Sequence, residues 1–462
     1  MDHQTLEVDL DLIAKLDRNG PRYTSYPTAD RFPDTFDSRR YAAWAARRNR
    51  TGVQRPLSLY VHLPFCSSLC YYCACNKIIT RDAAKAAKYL RYLTREIALQ
   101  APLFLDDARV EQMHWGGGTP TFYDLSDLAV LFQTLRAHFE LAPDGEYSIE
   151  IDPRTVTPAT LSGLREMGFN RVSFGVQDFD PWVQRAINRV QSEEETRVLV
   201  EAARSAGFAS INVDLIYGLP RQTPDTFGNT LERVAALHPD RVAVYSYAHV
   251  PARFKAQKQI VDDERPRPEV KLSLLGLAAQ CLTASGYVYI GMDHFALPDD
   301  ALTIAQRQGR LHRNFQGYST HSECDLIGLG VSAIGAIGPT YSQNARTLPE
   351  YYARLDRNET PIVRGVELSR DDLVRRSVIH ALMCQFEVSK EALGVSYLID
   401  FDDYFAPELE ELRELGRAGL LGLHDKWISV TAKGRMLIRS ICMVFDRYLR
   451  NERETRRYSR TI

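Results

Sequence analysis

The sequence lacks an excess of either charge: 57 lysine and arginine residues face 59 acidic residues, for a net charge of −2. Nucleic-acid binding needs a concentrated positive field, so this balance argues against it. No apolar run approaches the roughly 20 residues that a membrane helix requires. Residues 1–10 are acidic and lack the apolar segment of a signal peptide. These absences predict a cytoplasmic protein with neither a nucleic-acid nor a membrane partner.

Cysteine is also scarce, with eight residues in 462, but half of them fall within ten positions. These four are Cys66, Cys70, Cys73 and Cys75. Thiols stay reduced in the cytoplasm, so a cluster of this kind indicates a metal or catalysis more often than disulfides. The remaining four are expected to be small buried apolar side chains, namely Cys281, Cys324, Cys384 and Cys442.

Strand and helix patterns alternate through the first half of the chain. Strands are predicted at residues 58–64, 112–116, 147–151, 171–176, 210–217 and 241–247. Amphipathic helices are predicted between them, at residues 84–104, 125–139, 158–167, 193–206 and 225–237. Such alternation predicts an α/β fold with a parallel sheet and right-handed crossovers. Six units fit a partial (β/α)6 barrel, and the pattern leaves a doubly wound open sheet as the alternative.

Three segments are predicted around this pattern: an N-terminal arm at 1–55, a catalytic domain at 56–364 and a mainly helical C-terminal domain at 365–462. Two prolines within residues 20–28 exclude a helix interior there. The C-terminal pattern predicts helices at 371–386 and 407–415, ending at Gly416, then a strand at 427–431 and a last helix at 432–447. This order resembles a winged helix, which is also a common packing module and does not fix function.

Polar residues stand where several predicted strands end, as His62, Glu150, Gln177, Asp214 and His249 do. Barrels and open parallel sheets both build their active sites at the carboxyl ends of the strands. The glycines at 116–118 end another strand, where backbone without side chains can approach a ligand closely. The sequence therefore predicts one site along this edge.

Cys66, Cys70 and Cys73 form a CxxxCxxC motif directly after the first predicted strand. A [4Fe–4S] cluster normally takes four thiolates, so three leave one iron open to an external ligand. S-adenosylmethionine (SAM) can fill that position with its amino and carboxylate groups. The alternative is a zinc knuckle, with Cys75, His114 or His249 as the fourth ligand, although zinc sites usually draw ligand pairs from two separated segments.

The motif resembles the radical SAM signature, and the longer pattern resembles the oxygen-independent coproporphyrinogen III oxidases. The matching stretches are residues 60–66, 73–77, 114–121, 175–179, 212–220 and 291–295. The resemblance extends from about Pro21 to the C-terminus. Position 74 departs from the resemblance, because members of the family more often carry glycine where this chain has Ala74. Alanine is also small, so the departure is minor.

The resemblance implies a radical SAM barrel that binds one [4Fe–4S] cluster and two SAM molecules. The first SAM would contact Tyr60, Gly117, Glu150 and Ile334. The second would contact Tyr72, Gly118, Thr119, Gln177, Arg189, Asp214 and Ala248. In this assignment Arg189 suits the carboxylate of a methionine moiety and Asp214 suits its ammonium group.

The resemblance also implies the reaction: two propionate side chains of coproporphyrinogen III become vinyl groups, giving protoporphyrinogen IX in haem biosynthesis. Glu150, Gln316 and Cys75 are the candidate catalytic residues. Arg22 and Arg313 are the candidate partners of substrate carboxylates, because arginine is the better carboxylate fork. An electron donor, a final electron acceptor and a monomeric state are expected.

Three other interpretations remain open at this point. A haem-binding chaperone of the same superfamily would keep the cluster loop, but such relatives lack the extension through residues 73–77 and the arm at 21–28. A winged-helix regulator with an iron–sulfur sensor conflicts with the net charge of −2. Residues 328–333 superficially match a dinucleotide fingerprint, but Gly335, Gly338 and Pro339 follow where a helix should begin.

Overall fold

The computed structural model describes residues 6–50, 55–104 and 108–450. The predicted arm at 1–55, the predicted C-terminal domain at 365–462 and the acidic segment at 1–10 therefore lie partly outside the described residues. The described part contains one sheet of twelve strands. In chain order these are β1 Leu57–Leu63, β2 Val110–Gly117, β3 Leu141–Ile151, β4 Arg171–Gln177, β5 Ser210–Tyr217, β6 Arg241–Ser246, β7 Val288–Gly291, β8 His294–Ala296, β9 Asp325–Leu329, β10 Ile334–Ile337, β11 Thr340–Asn344 and β12 Ile362–Glu367.

The strands lie in the order β12-β11-β10-β9-β1-β2-β3-β4-β5-β6-β8-β7. The middle seven, from β9 to β6, run parallel, and the outer strands pair antiparallel. The six predicted strands are thus confirmed as β1 to β6, in sequence order. The structure adds a seventh parallel strand, β9, which pairs with β1 across more than 250 residues of chain.

Helices connect the parallel strands and cover the sheet, as the pattern predicts. They are Ala83–Gln100, Leu125–His138, Pro158–Met167, Pro181–Ala186, Glu193–Ser205 and Pro224–Ala236. Three of these helices begin at a capping box, in which the N-cap hydroxyl and the residue three positions later satisfy each other's backbone groups. Local sequence therefore fixes where these helices begin.

The core lies between the sheet and these helices. Trp115 on β2 is fully buried and meets Phe169 edge to face, with ring centroids 5.0 Å apart. Phe132, from the helix Leu125–His138, contacts both rings. Aromatic packing of this kind adds to the large apolar area that each ring buries.

The N-terminal arm runs back to the C-terminal end of the chain. Its helices are Leu10–Leu16 and Ser38–Asn49, and residues 20–28 contain no helix, as the two prolines predict. The Tyr23 hydroxyl donates to Asp446 over 2.9 Å. The Arg439 guanidinium donates to the backbone oxygens of Gly20 and Pro21. The arm and the last helices are therefore held together by buried polar contacts.

The C-terminal segment combines helices with a three-stranded sheet. Its elements are Arg370–Gln385, Glu387–Ser389, Lys390–Tyr397, Phe401–Tyr404, Ala406–Arg417, Leu421–Leu423, Trp427–Val430, Ile438–Val444 and Arg447–Arg450. Two predictions were wrong in detail. The helix predicted to stop at Gly416 continues to Arg417, and the turn falls at Gly419, whose φ of +80° suits glycine. The single helix predicted at 432–447 is interrupted: a 3-10 turn, Arg435–Leu437, precedes Ile438–Val444, and Phe445 ends that helix.

The remaining helices are Pro268–Ala284, Ala301–Arg307 and Leu348–Asp356. Two small sheets complete the described elements: Phe65–Cys66 with Ile78–Ile79, and the hairpin His312–Asn314 with Gly317–Ser319. Over residues 6–50, 55–104 and 108–450, no helix combines the length and the apolar character that crossing a lipid bilayer requires.

Candidate active site

The cysteine loop leaves the carboxyl end of β1 and is closed by a short pair of strands. Phe65 pairs with Ile78 and Cys66 with Ile79, so the loop returns beside its own start. Cys66 and Cys70 are buried, Cys73 is partly buried and Cys75 is exposed. None of the eight cysteines, all of which lie in the described residues, forms a disulfide. The expectation of burial holds for Cys384 and Cys442, whereas Cys281 and Cys324 are only partly buried.

The loop sulfurs are surrounded by hydrogen-bond donors and cations. Thr119 Oγ1 lies 3.4 Å from Cys66 Sγ, and Arg189 Nη1 lies 3.5 Å from Cys70 Sγ. Burial raises the pKa of Cys66 to about 11, and a hydrogen bond from Cys75 lowers the pKa of Cys73 to about 6. Cys75 is thus a hydrogen-bond partner of Cys73.

This geometry fits an iron–sulfur cluster better than a zinc knuckle. The sulfurs of Cys66, Cys70 and Cys73 do not all lie within 4.8 Å of one another, which is too open for one tetrahedral ion. The two histidines considered as zinc ligands are engaged elsewhere. His114 contacts Ser148 and Glu150, and His249 contacts Tyr247 and Asp262. A cluster of several irons, by contrast, needs widely spaced thiolates.

Glu150 is the carboxylate nearest the glycine run that ends β2. Its Oε2 accepts from the Gly117 N–H over 3.1 Å, and its Oε1 lies 3.3 Å from His114 Nε2. Burial opposes its ionisation, but these hydrogen bonds hold the pKa of Glu150 below its usual range. A β-carbon on Gly116 would lie 2.8 Å from the same carboxylate, which would have to move away to make room for it. Glu150 is therefore a fixed, ionised acid.

His62 connects β1 to the cysteine loop. Its Nε2 lies 2.9 Å from the Asn76 carbonyl, which can only accept, so Nε2 carries the proton. Burial lowers the pKa of His62, which leaves Nδ1 to accept from the Tyr60 hydroxyl over 3.0 Å. The imidazole also packs against Gly117, where a β-carbon would lie 2.5 Å from it. Neutral His62 thus orients Tyr60 and anchors the loop, a role that the sequence did not reveal.

The residues predicted for a first SAM line one cavity of about 280 Å3. Tyr60, Gly117, Glu150 and Ile334 all face it, together with Cys75, Gln316 and Phe315. Ile334 reaches it from β10, the strand that follows the glycine-rich string. No helix follows that string: β9 ends at Leu329 and β10 pairs back onto it, so the rejection of a dinucleotide fingerprint is confirmed.

The residues predicted for a second SAM fall into several groups, and Asp214 lines a cavity that contains none of the others. Gly118 and Thr119 bind the loop base through their N–H groups, which donate to Leu63 and Phe65. Tyr72 and Ala248 are joined, because the Gln257 amide donates to both of their carbonyls. Gln177 has a φ of +68° at the end of β4, near the Arg189 guanidinium.

Arg189 and Asp214 have different buried partners. Arg189 lies 3.0 Å from Asp152, which also binds Arg154 over 2.6 Å. The attraction of Tyr72 and Asp152 outweighs burial and keeps the pKa of Arg189 raised. Asp214 instead accepts from Ser173 and Asn212, and it lines a second cavity of about 130 Å3 beside Glu150. The prediction missed Asp152 and Arg154 as partners at this edge.

Asp214 is a carboxylate that is difficult to ionise. Burial and the negative charge of Glu150 raise the pKa of Asp214 to about 6, against the opposing hydrogen bonds from Asn212 and Ser173. An ionisable group shifted toward neutrality in a cleft is typical of functional sites.

Arg313 lies on the hairpin at 312–319, with its side chain almost fully buried. Its guanidinium stacks on the Tyr318 ring at 4.7 Å, and its Nε and Nη1 atoms have no hydrogen-bond partner in the described structure. Both amide atoms of Gln316, on the same hairpin, are likewise unpartnered. Burial and the charge of Arg313 lower the pKa of His294 to about 3. Buried donors of this kind are available to a polar ligand.

Arg22, the other predicted carboxylate partner, is less committed. Its side chain is about one-third exposed, lies 3.7 Å from Asp293 and reaches the Ser246 carbonyl at 3.4 Å. Asp293 has a φ of +71° in the turn between β7 and β8. The arm therefore reaches the carboxyl end of β6, where Ser246 ends the strand.

Comparisons with known proteins agree with this geometry. Residues 60–234 match the model of the Radical SAM superfamily, and residues 368–437 match that of the HemN C-terminal domain. The chain is 51% identical over 460 residues to the oxygen-independent coproporphyrinogen III oxidase of Pseudomonas aeruginosa, covering 99% of both chains. It is 50% identical over 462 residues to the protein of that name from Escherichia coli strain K12, covering 100% of both.

A solved structure supports the same assignment. Coproporphyrinogen III oxidase (HemN) from Escherichia coli, described as a radical SAM enzyme, superimposes with a TM-score of 0.92 at 49% identity. The match covers 96% of this chain and 100% of that one. The fold expected from the sequence, a radical SAM barrel with an N-terminal arm and a C-terminal domain, is thereby confirmed. The chain belongs to the oxygen-independent coproporphyrinogen III oxidases, a family of radical SAM enzymes.

Proposed function

We propose that this chain converts two propionate side chains of coproporphyrinogen III into vinyl groups, giving protoporphyrinogen IX in anaerobic haem biosynthesis. Each conversion removes a hydrogen atom from the propionate β-carbon, one electron and carbon dioxide. The observation that carries the proposal is the carboxyl edge of the sheet. There the three-thiolate loop follows β1, and Glu150 and Gln316 both line two neighbouring cavities. Arg313, on the same hairpin as Gln316, has buried guanidinium atoms without a hydrogen-bond partner.

We assign the cluster to Cys66, Cys70 and Cys73, which would hold a [4Fe–4S] cluster with one iron open to SAM. When bound, the cluster and SAM supply reductive cleavage of the sulfonium and a 5′-deoxyadenosyl radical. Arg189 and Thr119 stabilise thiolates, because both donate toward loop sulfurs. Cys75 remains a catalytic candidate that faces the cavity and hydrogen-bonds to Cys73.

The first SAM would occupy the cavity of Tyr60, Gly117, Glu150 and Ile334. Glu150 is held ionised by the Gly117 N–H and His114, which suits an ammonium group or a ribose hydroxyl. The Tyr60 hydroxyl is held in place by its hydrogen bond to His62 Nδ1. Ile334 offers the apolar wall that an adenine face requires.

A second SAM would contact the remaining predicted residues, which are Tyr72, Gly118, Thr119, Gln177, Arg189, Asp214 and Ala248. Arg189 already pairs with Asp152, so a ligand carboxylate must share this arginine. Asp152 would not be left without a cation, because it keeps its contact with Arg154 at 2.6 Å. Asp214 would take the ammonium end once it is ionised.

The substrate propionates would meet Arg313 first. Its buried Nε and Nη1 atoms lack partners, and a carboxylate would satisfy them. Gln316, which faces both cavities with an unpartnered amide, is the candidate catalytic residue between SAM and substrate. Arg22 would add a second cation from the arm.

We further propose that the enzyme works as a cytoplasmic monomer with an external electron donor and a final electron acceptor. The division into an arm at 1–55, a catalytic domain at 56–364 and a C-terminal domain at 365–462 is also a proposal. Its support is that the two family models match inside the second and third segments.

An anaerobic turnover assay tests the function. Reconstituted protein, SAM, reductant, an electron acceptor and coproporphyrinogen III should yield a product lighter by two losses of formic acid equivalents, read by mass spectrometry. The Cys66→Ser, Cys70→Ser and Cys73→Ser variants should lose iron and turnover, while Cys281→Ser, which alters a cysteine outside the loop, should keep both. Retention of haem without any turnover would instead identify a haem-binding chaperone.

A further inference from the structure

A second group of metal-binding side chains lies at the opposite end of the sheet from the cysteine loop. Glu111 is the second residue of β2, and Cys324 directly precedes β9, so both stand at the amino ends of their strands. His321 lies between them, on the segment that leads from the hairpin at 312–319 into β9. One ligand atom from each residue lies within 4.8 Å of the other two.

The spacing of this group is close to that of a bound ion. His321 Nδ1 lies 3.6 Å from Glu111 Oε2. Tetrahedral zinc, with bonds of about 2.0–2.3 Å to nitrogen, oxygen and sulfur, places its donors about 3.3–3.6 Å apart. Small side-chain rotations would therefore close the site. Among the residues that the structure describes, no other three donors of this kind come so close together.

The neighbouring groups leave these three donors available. Glu146, 4.0 Å from His321 Nε2, is bound by Arg171 at 3.0 Å and so is already neutralised. His321 and Cys324 also line a cavity of about 420 Å3, from which water can reach a fourth position.

We propose that Glu111, His321 and Cys324 form a second metal site, separate from the cluster, that binds Zn2+. Sulfur, imidazole and carboxylate donors together favour zinc over magnesium or calcium, which prefer oxygen alone. The fourth ligand is water from the cavity. The ion joins the amino ends of β2 and β9 to the base of the hairpin that carries Arg313 and Gln316, since the His321 N–H already donates to Ser319 Oγ. The site is independent of the proposed reaction.

Zinc analysis of the reconstituted holoenzyme tests this proposal, because the cluster then occupies the thiolates of the cysteine loop. The protein is incubated anaerobically with Zn2+, freed of excess metal by gel filtration and analysed for zinc and iron. One zinc per chain is expected beyond the cluster iron. Cys324→Ser and Glu111→Gln should each weaken zinc binding by about 100-fold or more, because even outer-shell partners contribute 10- to 100-fold.

Cys281→Ser is the matched control, since Cys281 is also a partly buried thiol but lies on the helix Pro268–Ala284, outside the proposed site. It should keep the zinc. Replacing zinc by Co2+ should give a thiolate charge-transfer band in the parent chain and the control, and none in Cys324→Ser. If Cys324→Ser does not fold, the zinc content of Glu111→Gln tests the proposal instead. This variant should fold, because the Glu111 side chain is half exposed. Absence of zinc from the parent chain, or equal zinc in all variants, overturns the proposal.

Discussion

Replacing Glu150 with glutamine would remove one negative charge from the first cavity while keeping the shape of the side chain. The glutamine oxygen can still accept from the Gly117 N–H, which now binds the carboxylate at 3.1 Å. The new amide N–H group can donate to His114 Nε2 if the imidazole moves its proton to Nδ1, beside Ser148 Oγ at 2.6 Å. No buried donor is left unsatisfied, so we expect the fold to survive the change.

The size of the effect follows from the charge. A hydrogen bond to a charged group contributes about 1.5–3 kcal/mol net. The Glu150 side chain is 44% exposed, so the lower half of that range applies. At about 1.4 kcal/mol per factor of ten, SAM should bind about 10-fold to 40-fold more weakly to Glu150→Gln. The same change removes the repulsion that helps to raise the pKa of Asp214, which should fall below its present value of about 6.

Equilibrium dialysis of labelled SAM against reconstituted protein measures this affinity, and release of 5′-deoxyadenosine measures cleavage at saturating SAM. Glu166→Gln is the matched control, because it makes the same charge change at an exposed position on the helix Pro158–Met167. Iron content and melting temperature should match the parent chain in both variants. A SAM affinity of Glu150→Gln within twofold of that control would refute the assignment of Glu150 to the SAM site.

Four further outcomes follow from the same contacts. Cys75→Ser should keep its iron and brown colour, because this sulfur only hydrogen-bonds to Cys73; iron loss as complete as in Cys66→Ser would contradict the three-ligand site. With a pKa of about 6, Asp214 loses its charge as pH falls from about 7 to 5, so dialysis should show the second SAM released over that range. In Asp214→Asn, which has no charge at this position to lose, SAM binding should not change with pH in this way. Arg189→Ala should keep the cluster and the first SAM but bind fewer than two SAM per cluster and turn over poorly; normal stoichiometry and turnover would favour a single SAM. Glu96→Ala should lower the free energy of unfolding, measured by urea titration, by about 3 kcal/mol or more, because four buried groups donate to the Glu96 carboxylate. The donors are the Gln100 and Asn344 amides, the Gly330 N–H and the Tyr351 hydroxyl. A change below about 1 kcal/mol would argue against this network.

The parallel half of the fold could be predicted because its signals are local. Buried strands such as β1, with six of seven residues buried, alternate with amphipathic helices whose caps mark their starts. β9 carries an equally buried run, Asp325–Leu329, but it sits in a glycine-rich string and pairs with β1 from far along the chain. The antiparallel strands β10 to β12 are short, and their pairing depends on tertiary contacts that no local pattern records.

The strand-end rule also explains why part of the site was predictable. Carboxyl ends of neighbouring parallel strands meet at one edge, so Gly117 and Glu150 had to lie close together. Tyr60 and Ile334 came from the family resemblance, and Ile334 lies on β10, outside the repeating units. His62 was expected at this edge, but its role as an anchor was not predicted, because that role depends on a contact with the Asn76 carbonyl, fourteen residues away across the cysteine loop.

Charge pairing is the part of the site that the sequence could not show, and it bears on function. Arg189 and Asp214 were assigned to the two ends of one ligand, but Arg189 is paired with Asp152, at the end of the same strand as Glu150. The carboxylate of a bound ligand must therefore compete with Asp152 for Arg189. Asp152 can give up part of that contact because Arg154 also binds it, at 2.6 Å. Removing Arg154 would leave Asp152 dependent on Arg189 alone and strengthen that pair. The Arg154–Asp152–Arg189 triad thus sets how readily Arg189 can turn toward a ligand. This property belongs to three residues from two separate segments and cannot be inferred from any one of them.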